Sequence, residues 1–179
     1  MRLLGAYRRK VNLGAGGSLG LAWRLQGRGG KPGRGAVPQD RPGRYTPLFF
    51  HDEAVACAAG HRPCAECRRA EYRAYAAAWA DVFGQTNAAG IDRALHAARI
   101  DVRGQRRHMA PAQALPDGAM VLILDQPHLI REGRALPFAP DGYGLPIALP
   151  QGDVIVLTPA PIVTVMAAGW QPAAHSSPR

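Results

Sequence analysis

Hydrophobic positions recur at two different periods along this chain, and the change falls near residue 110. Between Tyr45 and Ile100 the spacing is mainly helical. Thr46-Pro47-Leu48-Phe49-Phe50 predicts a short strand, after which Asp52 supplies an N-cap, and Glu53 a first-turn acid, for a helix over residues 53–59. Gly60 fits the position beyond a helix end that wants φ > 0, and Pro63 holds the residue before it extended. A second helix is predicted over 65–83, where Tyr72, Tyr75, Ala76, Trp79 and Phe83 recur at three- and four-residue steps and mark a buried stripe. Gly84 to Gly90 breaks it. A third helix over 91–100 turns Ile91, Leu95 and Ala98 inward, and the short connection sets it antiparallel to the second.

From Leu115 onward the apolar runs shorten and become β-prone, at 119–124, 128–131, 135–138 and 153–157. Pro116-Asp117-Gly118, Gln126-Pro127 and Asp141-Gly142-Tyr143-Gly144 supply turn signals between them. Thr158 then reads as an N-cap with Pro159 at the first helical position, opening a helix over 162–168 that Gly169 closes. This half is expected to form a small antiparallel sheet or partly open barrel with a terminal helix.

Charge changes the picture most in the first quarter. Residues 1–44 hold ten Lys and Arg against the single acid Asp40, so the whole formal excess of +9 lies there. The remaining twelve basic and twelve acidic residues cancel, and eleven of the 21 glycines also fall in 1–44. That composition predicts a flexible basic arm, apart from a short strand at Leu21-Ala22-Trp23-Arg24-Leu25. Such an arm can follow a phosphate backbone and release counterions, or it can simply reflect a preference for Arg at solvated positions. Apolar runs are short and broken by Pro or Gly, far below the ~20 residues of a membrane span. With no apolar secretory core near Met1, a cytoplasmic location and no membrane partner are expected.

The narrowest chemistry lies in Gly60-His61-Arg62-Pro63-Cys64-Ala65-Glu66-Cys67-Arg68-Arg69. A Cys-x-x-Cys turn at the start of a helix lets two sulfurs reach one cation, and the helix N-terminus favours the thiolates that a metal requires. All three cysteines, Cys57, Cys64 and Cys67, lie within eleven residues, which suits a metal or redox site and excludes the disulfide framework of a small secreted domain. No strand–helix–strand pattern surrounds the pair, as a disulfide oxidoreductase would require. Cys64 and Cys67 are therefore candidate zinc ligands, with Cys57 or His61 nearby and His108 from a distance as candidates to complete the site. Cys57 reads equally as a small buried apolar residue, and His61 as a solvated turn residue. Arg62, Arg68, Arg69 and Arg73 flank the knuckle, and the segment carrying Arg106 and Arg107 is a second basic cluster. These arginines can grip phosphates beside a helix N-terminus, or pair with Glu66 and Glu71.

Residues 48–68, from Leu48-Phe49-Phe50 through the alanine-rich helix to Gly-His-Arg-Pro-Cys-Ala-Glu-Cys-Arg, resemble the second half of the zinc-binding domain of the Ada DNA-alkylation repair proteins. The longer run through Arg69 is also similar to that of bacterial proteins without an assigned activity. The resemblance implies zinc at Cys64 and Cys67 and a DNA-contacting surface nearby. In the Ada domain an earlier cysteine pair completes the tetrahedron and one of these accepts a methyl group, whereas this chain has no cysteine before Cys57, so that residue does not carry over. A second zinc pattern is also present: His51-Asp52-Glu53 before Pro63-Cys64-Ala65-Glu66-Cys67 has the residue types of nucleoside deaminases, at a spacing too short for their two helices.

The expected architecture is α+β, with a basic flexible arm over 1–44, a small helical zinc module over 45–110, and a β-rich part over 111–179 with a terminal helix. The leading functional expectation is a zinc-containing protein that binds nucleic acid, most simply DNA, in repair or regulation. A zinc-dependent hydrolase or deaminase acting on nucleic acid or nucleotides, and a zinc-stabilised protein-interaction module, are the alternatives.

Overall fold

The computed structural model describes residues 21–23, 48–65, 68–102 and 104–174. Most of the arm expected over 1–44 therefore lies outside the described residues. Its one described piece, β1 (Leu21–Trp23), pairs antiparallel with β2 (Leu48–Phe50), Leu21 opposite Phe50 and Trp23 opposite Leu48.

β2 leads straight into α1 (Glu53–Ala58). Asp52 caps it as its sequence position predicts: Oδ1 accepts from the Val55 N–H at 2.9 Å. Every residue of α1 is buried, Glu53 included. An alanine-rich helix with no bulky polar face can be surrounded on all sides, and α1 is. Its Ala54, Val55, Ala56 and Ala58 join Phe50, Met120, Leu122, Leu129, Leu136, Tyr143 and Leu157 in one core, whereas Cys57 faces a second.

That second core is helical. α2 (Arg69–Phe83) contributes Tyr75 and Trp79, α3 (Ala88–Arg99) contributes Ile91 and Leu95, and α4 (Ala160–Ala167) contributes Ile162, Val165 and Met166. The predicted stripe of α2 is thus buried in its middle, while Phe83 at its end is 48% exposed. Each large apolar side chain enclosed here contributes about 1.5–3 kcal/mol relative to exposure. Because α4 lies against both α2 and α3, packing joins the two sides of residue 110.

The C-terminal strands form an antiparallel sheet of seven: β5 (His108–Pro111), β6 (Met120–Ile123), β7 (Gln126–Arg131), β8 (Arg134–Ala139), β9 (Gly142–Tyr143), β10 (Ile147–Ala148) and β11 (Asp153–Val156). The order is β10-β8-β7-β6-β11-β5, with β9 paired to β8 beside it. A small separate hairpin, β3 (Ile100–Asp101) with β4 (Gly104–Gln105), precedes the sheet. The four helices and this sheet with its terminal helix give the α+β architecture that the sequence predicts.

Three local expectations are corrected. Gln126-Pro127 is not the turn; Leu124 and Asp125 are, at φ 48° and 61°, and β7 already starts at Gln126. Pro127 is tolerated there because it pairs with Leu122 on one side, before the β8 pairing begins at His128. Thr158 does not cap α4, for its Oγ1 accepts the Met120 N–H at 2.9 Å across the sheet, leaving Pro159 at the cap position. α2 begins at Arg69 rather than 65, with Ala65 in a turn and Arg68 in a bend ahead of it.

Candidate metal knuckle and basic surface

The lead-in to the knuckle is set by the way α1 ends. Gly60 takes φ 78°, its N–H donates to the Cys57 carbonyl at 2.8 Å, and the His61 N–H donates to the Ala56 carbonyl at 3.0 Å. This is the Schellman arrangement, in which a glycine beyond the helix satisfies the last carbonyls. It turns the chain back so that His61 enters the interior, 7% exposed, with its ring 5.2 Å from that of Phe50.

Two of the four flanking arginines are committed inside the fold. Arg62 Nη2 donates to Asp92 Oδ2 at 2.7 Å, Nη1 donates to the Pro63 carbonyl at 2.8 Å, and the guanidinium lies 4.9 Å from the centre of the Tyr72 ring. It joins the knuckle to the first turns of α3. Arg68 bridges Glu53 and Glu71. The other oxygen of Glu53 accepts the Ala173 N–H at 2.6 Å, and the Glu53 N–H donates to the Ala173 carbonyl at 3.1 Å, so this carboxylate fastens the C-terminal tail to α1. Both oxygens of Glu53 thus have partners within the fold. Arg69 and Arg73 are exposed on α2.

The sequence-nominated metal ligands have unlike surroundings. Cys64 is buried at the turn, where its carbonyl accepts the Arg68 N–H at 3.0 Å. Cys67 lies outside the described residues. Cys57 is enclosed among Tyr75, Trp79 and the α3 and α4 side chains; burial, and then the charge of Asp52, pushes its thiol well above the ordinary value. His61 is held neutral, its pKa lowered to about 3 by burial and then by the Arg99 guanidinium, whose Nη1 lies 3.4 Å from His61 Nε2. A cation would meet the positive Arg99 there. His108, half-buried on the edge strand β5 opposite Val156, has its pKa lowered by burial. Among the described residues no three His, Cys, Asp or Glu side chains stand close enough to hold a metal.

The second basic cluster is where the structure adds most. β3 grows directly out of α3, and the Arg106 N–H donates to the Arg99 carbonyl at 2.8 Å to close the base of the β3–β4 hairpin. Arg99 also donates from Nη1 to the Ala59 carbonyl at 3.0 Å. Gln105 Nε2 reaches the Ala58 carbonyl at 3.5 Å and the Leu157 carbonyl at 3.4 Å. The hairpin is thereby pinned against the end of α1, immediately before the knuckle, with Arg106 and Arg107 exposed beyond it. Sequence reasoning placed those arginines in a basic segment but missed the hairpin, whose two-residue strands lie below any periodic signal. It missed Arg99 and Gln105 too.

Compared with known protein families, curated proteins and solved structures, the chain matches none of them.

Proposed function

We propose that this chain binds nucleic acid, most simply DNA, through a basic surface built around a zinc-stiffened knuckle. What supports the reading is a single relationship: Gln105 and Arg99 fasten the hairpin that carries Arg106 and Arg107 to Ala58 and Ala59, at the root of the Cys64 turn. Two sequence-distant basic elements thus share one foundation. Arg69 and Arg73, exposed on the helix that follows the knuckle, extend the same chemistry. Arginines in such a setting contact phosphate oxygens and fix position without reading sequence.

Zinc in this reading is structural. Cys64 and Cys67 would hold it, and it would supply rigidity to the turn that leads from the enclosed α1 to the partly exposed α2. Cys64, buried at the turn, is the described member of that pair; Cys67 lies outside the described residues, among which no group of three donors is found. The arm over 1–44, with its ten basic residues, would add contacts along the phosphate chain.

The test combines metal content with binding. Purified protein should carry one zinc, lose it in the Cys64→Ser variant, and show thiolate-to-metal charge-transfer absorption when cobalt replaces zinc. A fluorescent duplex should bind the zinc form and bind more weakly after chelation and after deletion of residues 1–44. Metal-free protein that binds no duplex would overturn the proposal.

A further inference from the structure

We propose that Arg99 is a seat for a phosphate group, which it holds through the guanidinium edge formed by Nε and Nη2. Arg99 is the last residue of α3 and is partly buried, with its stem lying over Gly60. Its Nη1 is occupied: it donates to the Ala59 carbonyl at 3.0 Å and lies 3.4 Å from His61 Nε2, which accepts when the neutral ring carries its proton on Nδ1. Two neutral acceptors therefore fix the guanidinium without cancelling its charge. Nε and Nη2 have no acceptor among the described residues, and neither is enclosed, so this edge is open to an incoming ligand.

The charge of Arg99 also lacks a counter-ion. Among the described residues no carboxylate stands within ion-pair distance of it. Arg62, the residue after His61, shows the contrast, for Asp92 Oδ2 meets its guanidinium at 2.7 Å. Burial lowers the Arg99 pKa, and the charge of Asp92, already committed to Arg62, offsets this only in part. A partly buried charge is costly until something pairs with it. Donating to the Ala59 carbonyl uses Nη1 alone and does not account for the free edge. The two N–H groups of that edge are parallel donors, a fork that matches two oxygens of a carboxylate or a phosphate. Phosphate is favoured because it brings more charge and further oxygens. Arg106, whose N–H donates to the Arg99 carbonyl, and Arg107 follow on the exposed side and draw such an anion. The group comes either from a nucleic-acid backbone, which deepens the reading above, or from a free phosphate ester; the seat itself does not depend on duplex binding.

The experiment follows the Arg99 Nε–H resonance of isotope-labelled, full-length protein as inorganic phosphate is added, with chloride and acetate at matched ionic strength as controls. Phosphate is expected to shift that resonance saturably and to leave the Arg62 Nε–H in place. Arg99→Lys keeps the charge and loses the fork. Followed at the Arg106 backbone amide, it is expected to bind phosphate about tenfold or more weakly, the loss of one hydrogen bond to a charged group. An Arg99 resonance that phosphate does not move, or that chloride or acetate moves as far, overturns the seat, and so does unchanged affinity in Arg99→Lys. A duplex that displaces phosphate from Arg99 assigns the seat to a nucleic-acid backbone. A duplex that binds without displacing it assigns the seat to a free phosphate ester. Phosphate binding with no duplex binding at all keeps the seat, again for a free ester, and overturns the nucleic-acid reading alone.

Discussion

Arg99 lies so close over Gly60 that a β-carbon on the glycine would overlap the aliphatic stem of the arginine. Gly60 also sits at φ 78°, so both its backbone conformation and its neighbour exclude a side chain. Gly60→Ala is expected to lose about 2–4 kcal/mol, from the left-handed conformation together with overpacking. Urea denaturation measures it. Arg99→Ala in the same chain should recover the overlap component, about 1–3 kcal/mol, and leave the conformational one.

The flanking arginines should divide into two classes. Arg62→Ala breaks a pair whose side chains are only 11% and 18% exposed, and is expected to cost about 2–3 kcal/mol of stability. Its effect on duplex affinity per folded molecule should be small. Arg69→Ala and Arg73→Ala, on the exposed face of α2, should do the reverse, leaving the melting temperature within a few degrees and weakening binding.

Much of this fold was legible in the sequence where one signal dominated. Asp52, Gly60 and the Tyr75–Trp79 stripe each announce a helix end or a buried face, and each behaves as expected. The misses share a cause. Thr158 and Pro127 follow local rules that a sheet partner overrides, since Met120 claims the hydroxyl and Leu122 accepts the proline. Of the candidate site, the sequence singles out the knuckle and both basic clusters as candidates. Glu71 is among the partners it offers the flanking arginines, and Arg68 pairs with it, but Asp92 for Arg62 and Glu53 for Arg68 lie thirty and fifteen residues away, beyond any local signal.

His61 makes stability depend on pH in a definite direction. Its folded pKa is lowered from 6.5 to about 3, so the neutral ring is favoured by the fold and protonation favours the unfolded chain. The contribution is fully present above about pH 6.5 and is lost as pH falls toward 3, at about 1.4 kcal/mol per pH unit for the one proton. Burial lowers His108 and His128 as well, giving the same sign, so the comparison must be between variants. His61→Gln should flatten the fall in unfolding free energy between about pH 6.5 and about pH 4.5 relative to wild type. Equal slopes would assign the dependence to other groups.

Tyr143 donates its O–H to Asp52 Oδ2 at 2.7 Å, in the core between α1 and the sheet. The same carboxylate caps α1 through its other oxygen. Tyr143→Phe keeps the ring and removes the donor, and is expected to cost about 1.5–3 kcal/mol, the range for a hydrogen bond to a charged group. Thermal or chemical unfolding checks it, and hydrogen exchange at Val55 should quicken if the cap loosens with it.

The salt dependence of duplex binding tests the central claim most directly. For wild type, log Kd should rise linearly with log salt concentration, each phosphate contact adding about 0.9 to the slope. Replacing Arg106 and Arg107 together by alanine should reduce that slope by about 2 and weaken binding across unrelated sequences alike. Binding that is absent, or whose slope is the same in wild type and the double variant, would contradict a basic hairpin that grips the phosphate backbone.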